Sequence, residues 1–316
     1  MLQAYEYKEA CLNTNRKKRV SISLATRYTL LSLTVGAVLI SFSGVWVKVA
    51  HVAPNVSAFY RVFIGGFALV VAALYRRELR WPGIRHFLLS LLCGLLLALD
   101  LWLYHYSIQY IGPGLGTILP NFQVFILAAA GILVFREPVR LIYLISLPLA
   151  FVGLFMIVGL NWSQLEPTYR IGVIYGLAAA VCYAGFLLLL RQLQADQMGT
   201  SFFYVQMMVS LTTAAFLGAD VAYRGGSFQV PDLQSVLALL SLGLLSHTLG
   251  WILITNALPK IRASLSGLIL LLQPALAFVW DFLFFQRPTT LLNWLGVIIA
   301  LVAIYMGMAR QSETDH

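Results

Sequence analysis

Residues Leu99–Phe125, LDLWLYHYSIQYIGPGLGTILPNFQVF, decide how the chain is read. The stretch lies between two long apolar runs, yet it carries Asp100, His105, Gln109, Asn121 and Gln123, together with Gly112, Pro113, Gly114, Gly116 and Pro120. At membrane depth such groups face a bundle interior or a cavity rather than lipid. A second stretch, NALPKIRASLSGLILLLQPALAFVWDF from Asn256 to Phe282, carries the same mixture. At an offset of 150 residues Arg136-Glu137-Pro138 falls on Gln286-Arg287-Pro288, and Gln123 falls on Gln273. This is the pattern of a duplicated helical bundle with polar groups meeting near its middle.

Composition sets the solvent. The 316 residues are 60% hydrophobic and 10% charged, with a mean hydropathy of +0.84. Soluble domains carry about 25% charged residues, so most of this chain expects lipid around it. The formal charge of +9 does not indicate nucleic acid. The basic residues sit at the ends of apolar runs and form no stripe interleaved with aromatics. Cys11, Cys93 and Cys182 have neither CxxC nor metal-ligand spacing and read as packing residues. No cofactor and no metal is expected. GPGLG at 112–116 lacks the setting of a nucleotide loop, and no HExxH, GxSxG or P-loop lysine occurs.

Ten apolar runs have about the 20 residues needed to cross a bilayer: 28–49, 56–75, 87–109, 113–135, 139–160, 170–190, 200–222, 235–257, 260–285 and 289–309. The expected fold class is an all-α integral membrane protein of ten transmembrane helices. Its expected divisions are a basic tail (1–27), a first five-helix half (28–160), a second half (170–309) and a short tail (310–316). The first run lacks a small-residue cleavage site and reads as a retained span rather than a signal peptide. The ninth run is long and is expected to tilt or break at Pro274. With both termini in the cytoplasm, sixteen of the 21 Lys and Arg residues fall on the inner side, leaving Lys48, Arg61, Arg170, Arg224 and Arg287 outside. The asymmetry favours that orientation. Further matches at offset 150 are Ile111 on Ile261, Leu141 on Leu291, Val152 on Val302 and Met156 on Met306. Near the start of each half the offset is 140, with Gly36 on Gly176. Five spans per half make the second half enter from the opposite face, which predicts an inverted repeat with a site near the midplane.

Candidate site residues follow. Gln123 and Gln273 are expected to be pseudo-twofold mates, either lining a ligand site or bonding helix to helix. On a helical wheel Asp100, Tyr104 and Ser107 share one face of the third span, and Trp102, His105 and Gln109 the other. Asp100 is expected to face inward, as a proton carrier or a structural hydrogen-bond partner. The Trp102/His105/Gln109 stripe is the alternative lining. His247 and Trp251 share a face of the eighth span and offer a wall for an aromatic or amphipathic solute. Arg61 either snorkels to the surface or meets a substrate carboxylate. Asn121 joins the cavity set. An ion pair from Asp281 to Lys48 or Arg61 would form an outer gate.

These residues resemble the drug/metabolite transporter superfamily, EamA type. The likeness rests on three features: Pro54 followed by Phe59-Tyr60-Arg61, the block ending Phe135-Arg136-Glu137-Pro138, and its echo from Gln273-Pro274 to Gln286-Arg287-Pro288. It covers roughly 28–310. Phe42-Ser43 replaces the usual tryptophan-glycine of span one, and Arg287 the usual glutamate. The resemblance implies two inverted five-helix repeats and a cavity lined chiefly by spans 1, 3, 4, 6, 8 and 9. It also implies export of amino acids or related metabolites across a bacterial inner membrane. Arg61 and Glu137 stand at family-typical positions. The expected partners are a small-molecule substrate, the lipid bilayer, a coupling proton and a second copy of the chain, and not nucleic acid. Two other classes stay open on residues alone. One is a lipid-modifying enzyme using Asp100 and His105, although those side chains diverge on one helix. The other is a non-transporting membrane subunit, which would show a docking segment.

Overall fold

The computed structural model describes residues 27–79, 81–137, 141–158, 167–195, 202–286 and 288–309. They form ten apolar helices, α1 Arg27–Val49, α2 Pro54–Tyr75, α3 Ile84–Ile111, α4 Gly116–Leu133, α5 Leu141–Ile157, α6 Tyr169–Ala195, α7 Phe202–Tyr223, α8 Leu233–Lys260, α9 Ala263–Phe285 and α10 Leu291–Gly307. Eight are long enough to cross a bilayer unaided, and α5 and α10 are shorter. Every edge lies within five residues of the run read from the sequence.

Local chemistry sets several of these boundaries. Pro54 opens α2, where its missing N–H is not needed. The carboxylate of Asp232 accepts the Ser235 N–H at 2.7 Å and caps α8. Between α3 and α4 the backbone stays helical, but a Cβ on Gly116 would lie 2.8 Å from Ile108. Eight residues of straight helix span about 12 Å, so the chain reverses here. Inside α4 the backbone tightens to a 3₁₀ turn at Leu119–Phe122, around Pro120. Helix α9 breaks at Leu271 into Ala263–Leu270 and Leu272–Phe285. Pro274 lacks the N–H that would bond the carbonyl four residues back, so the break falls one turn before the proline. Both irregularities end beside the paired glutamines, Gln123 and Gln273.

The packing order of the helices is that of an inverted repeat. Helix α5 meets α10 with Gly153 against Gly296 and Ala300, and Ser146 against Gly307. Helix α2 meets α7 through Gly66 with Ser210 and Phe59 with Gly218. Helix α4 meets α9 through Gly131 with Ser264, and Leu127 with Gly267. In each case the early residue of one helix touches the late residue of its equivalent, so equivalents run antiparallel. The remaining tight pairs exchange with each other when the halves are swapped. Gly36 of α1 lies on Gly250 of α8, and Ser107 of α3 donates to the Gly172 carbonyl of α6 at 2.9 Å. Small residues at these crossings let the backbones approach, as in other membrane bundles.

Polarity is reversed relative to a soluble protein. Ser57, Gln206, Ser210, Thr213 and Thr255 are fully buried, whereas Phe67, Ile174, Val181, Ile298 and Tyr305 face outward. An apolar exterior and buried polar side chains suit lipid as the solvent.

Candidate functional site

A cavity of about 740 Å³ opens between the halves, within the range of small-molecule sites. Its wall comes from α1 (Ile40 to Lys48), α2 (Arg61, Val62), α3 (Leu97, Asp100, Leu101, Tyr104) and α4 (Thr117, Asn121). It is completed by α5 (Leu154, Ile157), α6 (Tyr183), α8 (His247, Trp251) and α9 (Gln273 to Asp281). Helices α2 and α5 thus join the six expected to line it. The cavity runs from mid-bundle toward the end where α1 and α9 finish. At that mouth Lys48 pairs with Asp281, and the Lys48 ammonium stands 4.7 Å from the centre of the Phe285 ring. The Trp280 ring stacks on Phe42 at 4.3 Å and its N–H donates to Ser41 Oγ at 2.7 Å, tying α9 to α1.

The inner wall brings opposite charges together in apolar surroundings. Arg61 shares the cavity lining with Asp100, Tyr104 and Tyr183. Asp100 is only 7% exposed. Its position on α3 puts Tyr104 one turn above it on the same face, as the helical wheel predicts. Tyr183 projects from α6 beside Gln273. His247 lies in an eight-residue π-helical stretch, Leu242–Leu249, a conformation that recurs at functional sites. Its ring fills the space a side chain on Gly65 would take, and its Nε2 lies 2.9 Å from Ser210 Oγ. Its Nδ1 is buried and finds no partner among the described residues. Trp251 packs edge-on against Phe186, 5.1 Å between ring centres. A carboxyl so placed can bind an ammonium group or take up a proton reaching it through the mouth, and the guanidinium suits a carboxylate.

The structure therefore gathers six of the sequence candidates, Arg61, Asp100, Asn121, His247, Trp251 and Gln273, on one wall. Three others lie off it. The Trp102 indole donates to Asp220 at 3.1 Å and stacks edge-on with Tyr106, tying α3 to α7. His105 is bonded to the Leu101 carbonyl one turn back at 2.6 Å. The stripe of Trp102 and His105 is thus packing, because the opposite face of α3 holds the cavity. The divergence of His105 from Asp100 also removes the acid–base pair an enzyme would need. Gln123 is 0% exposed and is not part of the cavity lining, which its equivalent Gln273 joins. Tyr183 was missed by sequence reasoning; a tyrosine in mid-span was its only signal. Arg61 faces inward instead of snorkelling. Among the described residues, no group of three or more His, Cys, Asp or Glu side chains could hold a metal ion.

The opposite end of the bundle is shut by a buried carboxylate. Glu137, just past α4, accepts from the Ala263 N–H at 2.7 Å, the Ser264 N–H at 3.3 Å and the Ser264 hydroxyl at 2.8 Å. The two N–H groups are orphan donors of the α9 N-terminus. Arg191, at the end of α6, completes the cluster and covers the Phe135 ring at 4.7 Å.

Ten apolar helices in two antiparallel halves around a cavity open at one end define a multi-pass membrane transporter. The family model "EamA-like transporter family" matches residues 27–159 and 170–308, and the chain belongs to that family, whose members transport solutes rather than catalyse reactions. No curated protein shows significant similarity to it. Twenty-nine solved chains match it. One crystal structure superposes with a TM-score of 0.76 at 15% identity, covering 92% of this chain and 99% of the other, a likeness of fold.

Proposed function

We propose that the protein exports a small zwitterionic metabolite, an amino acid or a close derivative, across a bacterial inner membrane by alternating access. The observation that carries the reading is the presence of Arg61 and Asp100 on the lining of one largely apolar cavity. In this reading the guanidinium takes the carboxylate and Asp100 takes the ammonium. Gln273, Asn121 and Tyr183 orient the head group, while His247 and Trp251 flank the side chain. Asp100 is also the group that would exchange a proton when no solute is bound. Repeats at 28–160 and 170–309 rock about the level of the paired glutamines. The tails at 1–27 and 310–316 lie in the cytoplasm, supported by the sixteen basic residues on that side. The mouth guarded by Lys48 and Asp281 then faces outward, and the Glu137 cluster seals the cytoplasmic end. Flux into proteoliposomes, measured across a panel of amino acids and derivatives with and without a pH gradient, tests this. Saturable flux of at least one zwitterion, lost in Asp100→Asn and Arg61→Gln, is expected. Absence of flux and of binding for the whole panel would overturn it.

A further inference from the structure

Helices α4 and α9 form a zipper that is open at one end and closed at the other. At the mouth, Thr117, Ile118 and Asn121 of α4 and Gln273, Pro274 and Ala277 of α9 stand on the cavity wall. At the far end Val124, Leu127 and Gly131 pack onto the first half of α9. A Cβ on Gly267 would lie 3.0 Å from both Leu127 Cδ1 and Val124 Cγ2, and one on Gly131 would lie 3.4 Å from Ser264 Cβ. The offset of 150 maps each closed position onto an open one: Val124 onto Pro274, Leu127 onto Ala277, Gly131 onto Asp281, and Gly267 back onto Thr117. Equivalent positions thus line the cavity at one end and pack together at the other.

Gln123 is the polar residue at the boundary of the closed end. It is fully buried, and neither its Nε2 nor its Oε1 meets a partner among the described residues. A buried amide left so is unfavourable, and an apolar side chain of the same size would fit without that penalty. Its equivalent, Gln273, borders the cavity. Exchanging the conditions of the two ends would bring Gln123 to solute, bury Gln273, and release Glu137 from the α9 N-terminus.

From this we infer that Gln123 is a solute-binding residue of the oppositely facing state, in which it occupies the place Gln273 holds here. The inference rests on the alternating-access reading above. The Glu137 cluster is the contact that must part first.

Single cysteines at 123 and 273, in a background with Cys11, Cys93 and Cys182 replaced by serine, test it with a membrane-impermeant maleimide. The reagent is applied separately to each face of oriented vesicles. Gln273→Cys should label from the mouth side. Gln123→Cys should label from the opposite side, and about tenfold faster when Glu137→Gln weakens the closed end, the change expected for loss of one charge-assisted contact. Gln123→Leu guards against a folding failure. It should keep or raise the Tm and retain solute binding from the mouth, yet slow net flux about tenfold. A Gln123→Leu protein with wild-type flux overturns the inference, as does a folded Gln123→Cys protein unlabelled from the far face while the wild type transports. If labelling switches sides as described and Gln123→Leu slows flux of a solute that is not a zwitterion, the inference about Gln123 stands and the substrate reading fails.

Discussion

Arg191 Nη1 lies 3.2 Å from Glu137 Oε1, and both side chains are largely buried at the end of the bundle away from the cavity mouth. Removing one member of a buried ion pair costs about 3–5 kcal/mol, because the other is left unpaired. Glu137 also serves three donors of α9, whereas Arg191 can turn toward water. Glu137→Ala is therefore expected to lower the Tm in detergent more than Arg191→Ala does. The reverse order would show that the guanidinium, not the carboxylate, organises this end.

The crossing of α5 and α10 leaves no room for a methyl group. A Cβ on Gly153 would lie 2.6 Å from Gly296 O, and one on Gly296 2.6 Å from Gly153 O. Gly153→Ala and Gly296→Ala should each destabilise the protein by about 1–3 kcal/mol through overpacking. Gly44, on the cavity side of α1, has open space around it. Gly44→Ala should leave the Tm unchanged or slightly raised, since alanine suits a helix better. Thermal unfolding of the three purified variants checks the contrast.

Acid should loosen the link between the α1–α2 connection and the start of α8. His51 Nδ1 lies 2.8 Å from Asp232 Oδ2, and the His51 N–H donates to Ser235 Oγ. The bond from His51, then the Ser235 N–H, holds the Asp232 carboxyl below its ordinary value of 3.8. A carboxyl lowered on folding adds stability that is fully present above that ordinary value, and the contribution fades as pH falls through the lower folded value. Asp232→Asn keeps a helix cap but loses the charge. The Tm gap between wild type and Asp232→Asn should hold from neutrality down to about pH 4 and close below it. A gap that widens in acid would contradict the assignment.

If Arg61 and Asp100 read the two ends of a zwitterion, each should govern one functional group. Loss of a hydrogen bond to a charged group is worth about 1.5–3 kcal/mol, or roughly tenfold to a hundredfold in affinity. Asp100→Asn should abolish the preference for an amino acid over its N-acetyl derivative. Arg61→Gln should abolish the preference for the acid over its carboxamide. Competition assays with each pair of compounds separate the two roles, and equal loss of both preferences in both variants would refute them.

Much of the frame was legible because apolar length is a local signal. The ten runs came directly from it, and the Phe135–Pro138 echo at Phe285–Pro288 carried the duplication. The inward aim of Asp100 followed from the cost of a carboxyl facing lipid, and its sharing a face with Tyr104 from helical period. What sequence could not supply was pairing at a distance. Trp102 reads as a cavity aromatic until Asp220, 118 residues away, claims its N–H. Lys48 and Asp281, 233 positions apart, were named only as one of two alternatives. Gln123 and Gln273 are alike in sequence, yet one is fully buried and the other borders the cavity. In the alternating-access reading proposed above, that difference belongs to conformational state, on which residue type is silent.

The π-helical stretch of α8 also affects how its residues are indexed. Its wide turns hold more residues per revolution than an α-helix, so everything beyond Leu249 is rotated relative to an unbroken α8. Deleting one residue between Leu242 and Leu249 would let the helix relax to ordinary geometry. Regularising the same residues without a deletion would instead turn Trp251 away from the cavity by about 100°, the angular step of one residue. The wide turns thus absorb a surplus residue, and they let Trp251 keep its place on the wall while His247 sits inside the irregular stretch.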